Sequence, residues 1–215
     1  MWLTQGDSTS VLRVLGVFPF SISFLQTLSI ALGGEEQMEV YSVWAIPPET
    51  VRPRLKALME NLRNKFGGPE FGPHITMVGA IRLNRKDAIA KLVAASEGLK
   101  PIKCRISSVS KGTFFYQCIY LLVHPDDEVM EASRHCCGHF GYVSSSPYMP
   151  HLSLLYGDIS EEEKDKAIEK AKALDNVIDQ LEFEVSTLAL YRTDTEDKTL
   201  ESWELVADCK LRDGN

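Results

Sequence analysis

Two short stretches of the chain repeat one pattern of residue types. Pro73-His74-Ile75-Thr76-Met77-Val78 and Pro150-His151-Leu152-Ser153-Leu154-Leu155 each read proline, histidine, aliphatic, hydroxyl, apolar, apolar. Each also has a further proline shortly before it, Pro69 and Pro147. In a strand, side chains at i and i+2 share a face. His74 and Thr76 therefore belong together, as do His151 and Ser153, with Ile75, Met77, Leu152 and Leu154 turned the other way. If the two strands meet, two imidazoles and two hydroxyls line one cleft. That set suits displacement at phosphorus, where attacking water loses a proton and the leaving oxygen gains one on opposite sides. Imidazole titrates near pH ~6.5, so one ring can be neutral while the other is protonated. Hydroxyls and a charged imidazole can donate to the nonbridging oxygens. A single such motif reads equally well as a structural strand histidine. The repetition is what points to a site.

The surrounding elements must bring the two strands together. Val40 to Ile46 reads as a strand ended by Pro47-Pro48. Thr50 caps a helix with Val51, Leu55, Leu58, Leu62 and Phe66 on one face, stopped by Gly67-Gly68. His74 to Ile81 is a strand, and Asn84 caps a helix carrying Ile89, Leu92 and Val93 that ends near Gly98. Ile102 to Val109 and Thr113 to Val123 are strands around a Lys111-Gly112 hairpin. The same order then recurs. A helix from about Asp127 to Phe140 precedes a strand from Met149 to Gly157, and Ser160 to Glu163 forms a capping box for the next helix. Leu181 to Arg192 and Glu201 to Lys210 close as strands, the last with Trp203, Leu205, Ala207 and Cys209 on one face. Helix–strand–helix–strand–strand thus occurs twice. The expected fold class is α+β: one bilobal domain over residues 38–215, a duplicated unit about a pseudo-twofold, with lobes exchanging around residue 125.

The chain has 215 residues, enough for one ordinary domain, and a net charge of −7. An acidic protein lacks the broad basic surface that long nucleic acids require, so a small nucleotide is the expected partner. Five cysteines in an odd, sparse set do not form a secreted disulfide framework and point to a reducing compartment. Residues Val11 to Leu32 are nearly all apolar or small. Residues 1–37 admit three readings: a targeting peptide, a membrane anchor, or an upstream extension before a domain that starts at Met38. The last is preferred, because the globular pattern starts cleanly there. His135-Cys136-Cys137-Gly138-His139 matches no common zinc spacing. No metal and no cofactor are expected.

At the paired motifs the sequence resembles the two-histidine phosphoesterase superfamily. From Met38 to about Cys209 it is similar to the plant cyclic phosphodiesterases within it. The stretches that carry this likeness include Val40-Tyr41-Ser42-Val43-Trp44-Ala45, Thr113-Phe114-Phe115 followed by Gln117-Cys118, Pro147 to Tyr156, and Thr193-Asp194-Thr195-Glu196-Asp197-Lys198-Thr199-Leu200. The resemblance implies a bilobal fold with two antiparallel sheets around a central cleft, helices outside. It implies opening of ADP-ribose 1″,2″-cyclic phosphate to ADP-ribose 1″-phosphate, a step downstream of tRNA splicing. It also implies hydrolysis of nucleoside 2′,3′-cyclic phosphates to 2′-phosphates, without metal, by a cytoplasmic enzyme. An RNA end-processing phosphodiesterase of the same superfamily is the rival reading, and a nucleotide-binding module without turnover is another.

The resemblance makes His151 the base that activates water and His74 the acid toward the leaving oxygen. The near-symmetric repeats do not settle that order by themselves. Thr76 and Ser153 hold the phosphate. Tyr156, three residues after Ser153, is expected at the cleft mouth, contacting phosphate or base. Trp44 either stacks on a nucleobase or packs in the core. Phe115 and Tyr116 are weaker candidates. No membrane is expected for the folded domain, and a monomer is the expected state.

Overall fold

The computed structural model describes residues 37–212, so the readings of the segment 1–37 fall almost wholly outside the described residues. The described chain opens with β1 (Met38–Ala45) and α1 (Arg52–Phe66). It continues through β2 (Ile75–Asn84), α2 (Arg85–Glu97), β3 (Ile102–Lys111) and β4 (Ile119–Val123). Then follow α3 (Asp127–Phe140), β5 (His151–Leu155) and α4 (Glu161–Leu174), and finally β6 (Glu182–Val185), β7 (Thr187–Arg192) and β8 (Glu204–Lys210).

Local chemistry explains the helix ends. The Asn84 side chain accepts from the Asp87 amide, and Ser160 and Glu163 form the reciprocal capping box. Thr50 does not cap α1. The Pro48 carbonyl takes the amides of Val51 and Arg52, and a proline in the first turn lacks the amide a side-chain cap would serve. Gly67 and Gly68 end α1 with φ of 79° and 98°. A Cβ at Gly68 would collide with the Tyr156 carbonyl, so this turn fits against the end of β5 only as glycine.

The strands form one eight-stranded sheet in the order β6-β3-β4-β5-β2-β1-β7-β8, every pair antiparallel. The two separate sheets expected from the resemblance are not present among the described residues, because β2 and β5 pair with each other. That pairing is a single rung, Ile75 opposite Leu152. Nor does the sheet divide at residue 125. β4, which precedes that point, pairs with β5 and carries β3 on its other side, while β7, which follows it, pairs with β1. The chain crosses the seam to complete each half.

Three expected strands are shorter than read. Thr113 to Cys118 is a loop with a 3-10 turn at Phe115–Gln117, closed by the Gly112 amide on the Cys118 carbonyl at 3.1 Å. The stretch 181–192 is two strands, because β6 pairs with β3 and β7 with β1 on the far half of the sheet. β8 begins at Glu204 because residues 197–202 are held in a separate turn around Asp197.

Ile75 and Leu152 are fully buried and join one apolar core with Leu55, Leu62 and Leu92. Leu152→Ala removes side-chain volume at the seam itself. It should destabilise the protein by about 2–5 kcal/mol in urea unfolding at neutral pH. A loss below about 1 kcal/mol, the level of tolerated swaps, would mean that the seam is not a tightly packed point.

Candidate active site

The single rung between β2 and β5 sets the geometry of the site. The antiparallel direction set by that rung puts His74 toward the Ser153 end and Thr76 toward the His151 end. All four side chains lie on the face opposite Ile75 and Leu152, and all four line one cavity of about 480 Å³. Beyond Ile75 the two strands part, and β2 loses its strand partner on that side. Its carbonyls are satisfied by side chains instead. Tyr148 Oη donates to Thr76 O at 2.9 Å, Ser133 Oγ to Met77 O at 2.9 Å, and Cys137 Sγ to the same oxygen at 3.5 Å. Helix α3 and the segment before β5 thus fill the opening and wall the cavity.

The two imidazoles are oriented by one device used twice. His74 Nδ1 donates to Gly72 O at 2.7 Å, and His151 Nδ1 donates to Met149 O at 2.9 Å, in each case the carbonyl two residues before. The Nδ1 proton is thereby committed, and Nε2 is the atom left to exchange protons. Their surroundings differ. His74 is 4% exposed, with its ring stacked on Trp44 at 3.6 Å between centroids and 9° between planes. Tyr156 Oη stands 3.3 Å from His74 Nε2. His151 is less buried and meets the edge of Tyr120 at 5.2 Å. Burial, against the opposing pull of the Gly72 carbonyl and helped by the nearby His151, pushes His74 down to about 4. Burial also lowers His151, against the opposing pull of the Met149 carbonyl.

Tyr156 is not at the mouth of the cleft. It is 4% exposed and stacked on Phe71 at 3.8 Å, because the chain turns inward after β5 against Gly68. Burial raises its phenol above the ordinary range. Ser153 Oγ donates to Tyr116 O at 3.2 Å, which ties the motif strand to the loop before β4. Trp44 is both buried and on the cavity wall, but its ring is given over to His74 and, at 3.9 Å, to Tyr191. Its observed role is to hold His74 in plane. Of the two weaker aromatic candidates, Tyr116 lines the cavity, whereas Phe115 is not among its lining residues.

The sequence reading missed one wall. Trp203 precedes β8 and faces the cavity, stacked on Tyr116 at 5.7 Å and 22°. Its Nε1 donates to Asp194 O and Tyr116 Oη donates to Thr195 O, both at 2.8 Å. Asp197 braces this loop by accepting from the amides and hydroxyls of Thr199 and Ser202, which hold its carboxyl well below the usual range. Leu200 sits there at φ 63°, a strained conformation for a branched residue that the bracing must impose. The signal lay in the Thr193–Leu200 stretch, where closely spaced Asp and Thr mark a side-chain-braced turn. His135 Nε2 bonds Ala95 O at 3.0 Å, and the Cys136 thiol is buried and pushed up to about 12. Among the described residues no group of three or more His, Cys, Asp or Glu is placed to hold a metal ion, and no helix is long and apolar enough to cross a membrane.

A family described as cyclic phosphodiesterase-like protein matches residues 38–211. A cyclic phosphodiesterase of Arabidopsis thaliana is 51% identical over 177 residues, covering 82% of this chain and 98% of that one. A 2′,3′-cyclic-nucleotide 3′-phosphodiesterase of Yarrowia lipolytica is 29% identical over 133 residues, covering 58% and 60%. Among solved structures, LigT of E. coli complexed with 3′-AMP superposes with a TM-score of 0.55 at 11% identity, covering 81% of this chain and 99% of that one.

The burial of His74 has a consequence for stability. Its folded value of about 4 lies below the ordinary imidazole value of 6.5, so the unfolded chain takes up the proton first as the pH falls. Stability present above pH ~6.5 is therefore lost as the pH drops toward 4, by on the order of 3 kcal/mol. Urea unfolding at pH 7 and pH 4.5 should show a clearly smaller drop in His74→Gln than in the wild type. Equal drops in the two proteins would contradict a buried neutral His74.

Proposed function

The chain belongs to the cyclic phosphodiesterase-like family, and from that premise we propose that it opens nucleoside 2′,3′-cyclic phosphates to nucleoside 2′-phosphates and ADP-ribose 1″,2″-cyclic phosphate to ADP-ribose 1″-phosphate. The observation that carries this reading is the convergence of His74, Thr76, His151 and Ser153 on one cavity about the Ile75–Leu152 rung. A phosphate seated over that rung has an imidazole Nε2 on each side. This is the arrangement that in-line attack and departure require.

His151, the more exposed imidazole, takes a proton from the attacking water. His74, buried beside Tyr156, gives a proton to the leaving ester oxygen. Thr76 and Tyr156 supply neutral donors to the nonbridging oxygens, where charge gathers, and Ser153 joins them by turning its hydroxyl proton away from the Tyr116 carbonyl. Burial alone disfavours a charged His74. The anionic phosphodiester is an opposite charge, and its arrival raises the His74 pKa toward the working range. A metal is not called on. The carboxylates that hard cations need are not among the described residues lining the cavity. A cytoplasmic enzyme acting as a monomer is part of the same reading; the five free cysteines support its first half, a reducing compartment.

Hydrolysis of a 2′,3′-cyclic nucleotide in excess chelator tests the pair. Wild-type turnover should be unaffected by the chelator. His74→Ala and His151→Ala should each lose about 10²- to 10⁴-fold in kcat. Full activity in both variants, or loss of wild-type activity on chelation, would sink the reading. The proton order has its own test. Imidazole resonances followed by NMR should show His74 titrating near 4 when free and moving up by more than a unit when an unreactive phosphodiester monoanion, the methyl ester of 3′-deoxyuridine 2′-phosphate, is bound. A ligand-induced rise at His151 alone would exchange the two roles.

A further inference from the structure

The cavity walls are polar without being charged. Among the described residues, those that line it offer hydroxyls, phenols, indoles, an amide and a thiol, but no Lys, Arg, Asp or Glu. Phosphate sites commonly hold their ligand with a fixed Arg or Lys. Here the groups that can turn positive are His74 and His151, and each spends one ring N–H on a carbonyl. The other titratable groups facing the space can only turn negative. They are Tyr116 from the loop before β4, Tyr156 after β5, Tyr142 and Tyr148 from the segment between α3 and β5, and Cys137 from α3. Burial pushes Tyr116, Tyr148, Tyr156 and Cys137 up, away from ionisation between pH 5 and 8. The charges just behind the Trp203 wall have the wrong sign for an anion. Asp197, Asp194 and Glu196 each push the Tyr116 phenol up, while Lys198 is bound to Asp158 at 2.7 Å.

We propose that the cavity selects a phosphate bearing one negative charge, and that loss of the product's last phosphate proton is what releases it. The proposal rests on the cyclic phosphodiester reading above. The cyclic diester enters as a monoanion, matched by one imidazolium. The water oxygen bonds to phosphorus while one ribose oxygen leaves. His151 takes one water proton, and His74 gives its proton to the leaving oxygen. The phosphomonoester therefore forms with one proton still on it, again a monoanion, and the pair still holds one positive charge, now on His151. That last proton dissociates with a pKa of about 6. The resulting dianion keeps one charge unpaired in a space where the described residues supply no further cation, a costly state away from water. Any additional phosphates of a larger substrate lie outside the cavity.

The test uses the wild-type protein and two ligands that cannot react, 3′-deoxyuridine 2′-phosphate and its methyl ester, bound in a calorimeter from pH 5 to pH 8. The methyl ester keeps one charge throughout. Both ligands meet the same histidines, so the ratio of their dissociation constants removes the histidine titration. The ratio of monoester to methyl ester should rise about tenfold per pH unit above about pH 6. A ratio that stays flat or falls overturns the proposal. Thr195→Lys sets a fixed cation on the wall and should flatten the rise, and an unchanged rise in that variant likewise overturns it. The hydrolytic reading is scored separately. If it fails, no cyclic nucleotide is turned over. If only the charge selection fails, turnover persists and the ratio is flat.

Discussion

The structure depends on a sheet that is joined at one rung. Ile75 and Leu152 pair, and then β2 and β5 separate. A longer ladder would fill the space over the motif strands with main chain and close the cavity. No rung at all would leave the two histidines on unrelated edges. One rung holds the strands in register and still lets them part. The cost is a stretch of β2 whose carbonyls have no strand to receive from, and unsatisfied buried backbone is expensive. Tyr148, Ser133 and Cys137 meet that cost with side-chain donors. These residues therefore belong to the scaffold of the site although they stand on α3 and the segment after it.

The same opening governs the electrostatics. A cavity roofed by aromatic rings and lined by neutral groups takes both imidazoles away from water, and both are pushed toward the neutral form. The Trp44 stack and the two Nδ1 hydrogen bonds fix the rings while they are neutral. Pre-set orientation leaves little to reorganise when an anion arrives. In a low-dielectric space the attraction between that anion and a newly formed imidazolium is strong. Burial thus weakens the charge of the empty site and strengthens the interaction that restores it.

The motif strands were readable because strand periodicity places alternate residues on one face, and His74, Thr76, His151 and Ser153 obey it. Asn84 and Ser160 were readable as caps because their chemistry is local. What escaped is tertiary. Nothing in the text of β2 or β5 says that they pair once rather than not at all, so one sheet was taken for two. The Phe114 to Gln117 stretch carries strand-favouring aromatics, yet it turns, and the turn can close because Gly112, with no Cβ, admits the Gln117 carbonyl against its backbone. Tyr156 lies just past β5, where alternation ends, and Gly68 on α1's far end decides its inward path. Trp203 was read as part of a strand face, since the Asp197-braced turn that presents it is visible only as a cluster of Asp, Thr and Ser.

Symmetry raises the last point. Two copies of one motif would give two equivalent histidines, with nothing to decide which of them carries the shared proton. The copies do differ, and the difference lies outside the motifs. Both imidazoles use the same backbone acceptor two residues earlier, so the first layer of contacts is preserved. The second layer diverges. His74 has Trp44 across its face and Tyr156 at its Nε2, while His151 has only the edge of Tyr120 and more access to solvent. Trp44 is supplied by β1 and Tyr120 by β4, the strands that flank β2 and β5 on their outer sides. On the proposed reading, the residues that distinguish acid from base are therefore those of the neighbouring strands. Exchanging surroundings there, rather than editing the histidine motifs, is the route by which this architecture can assign the two roles.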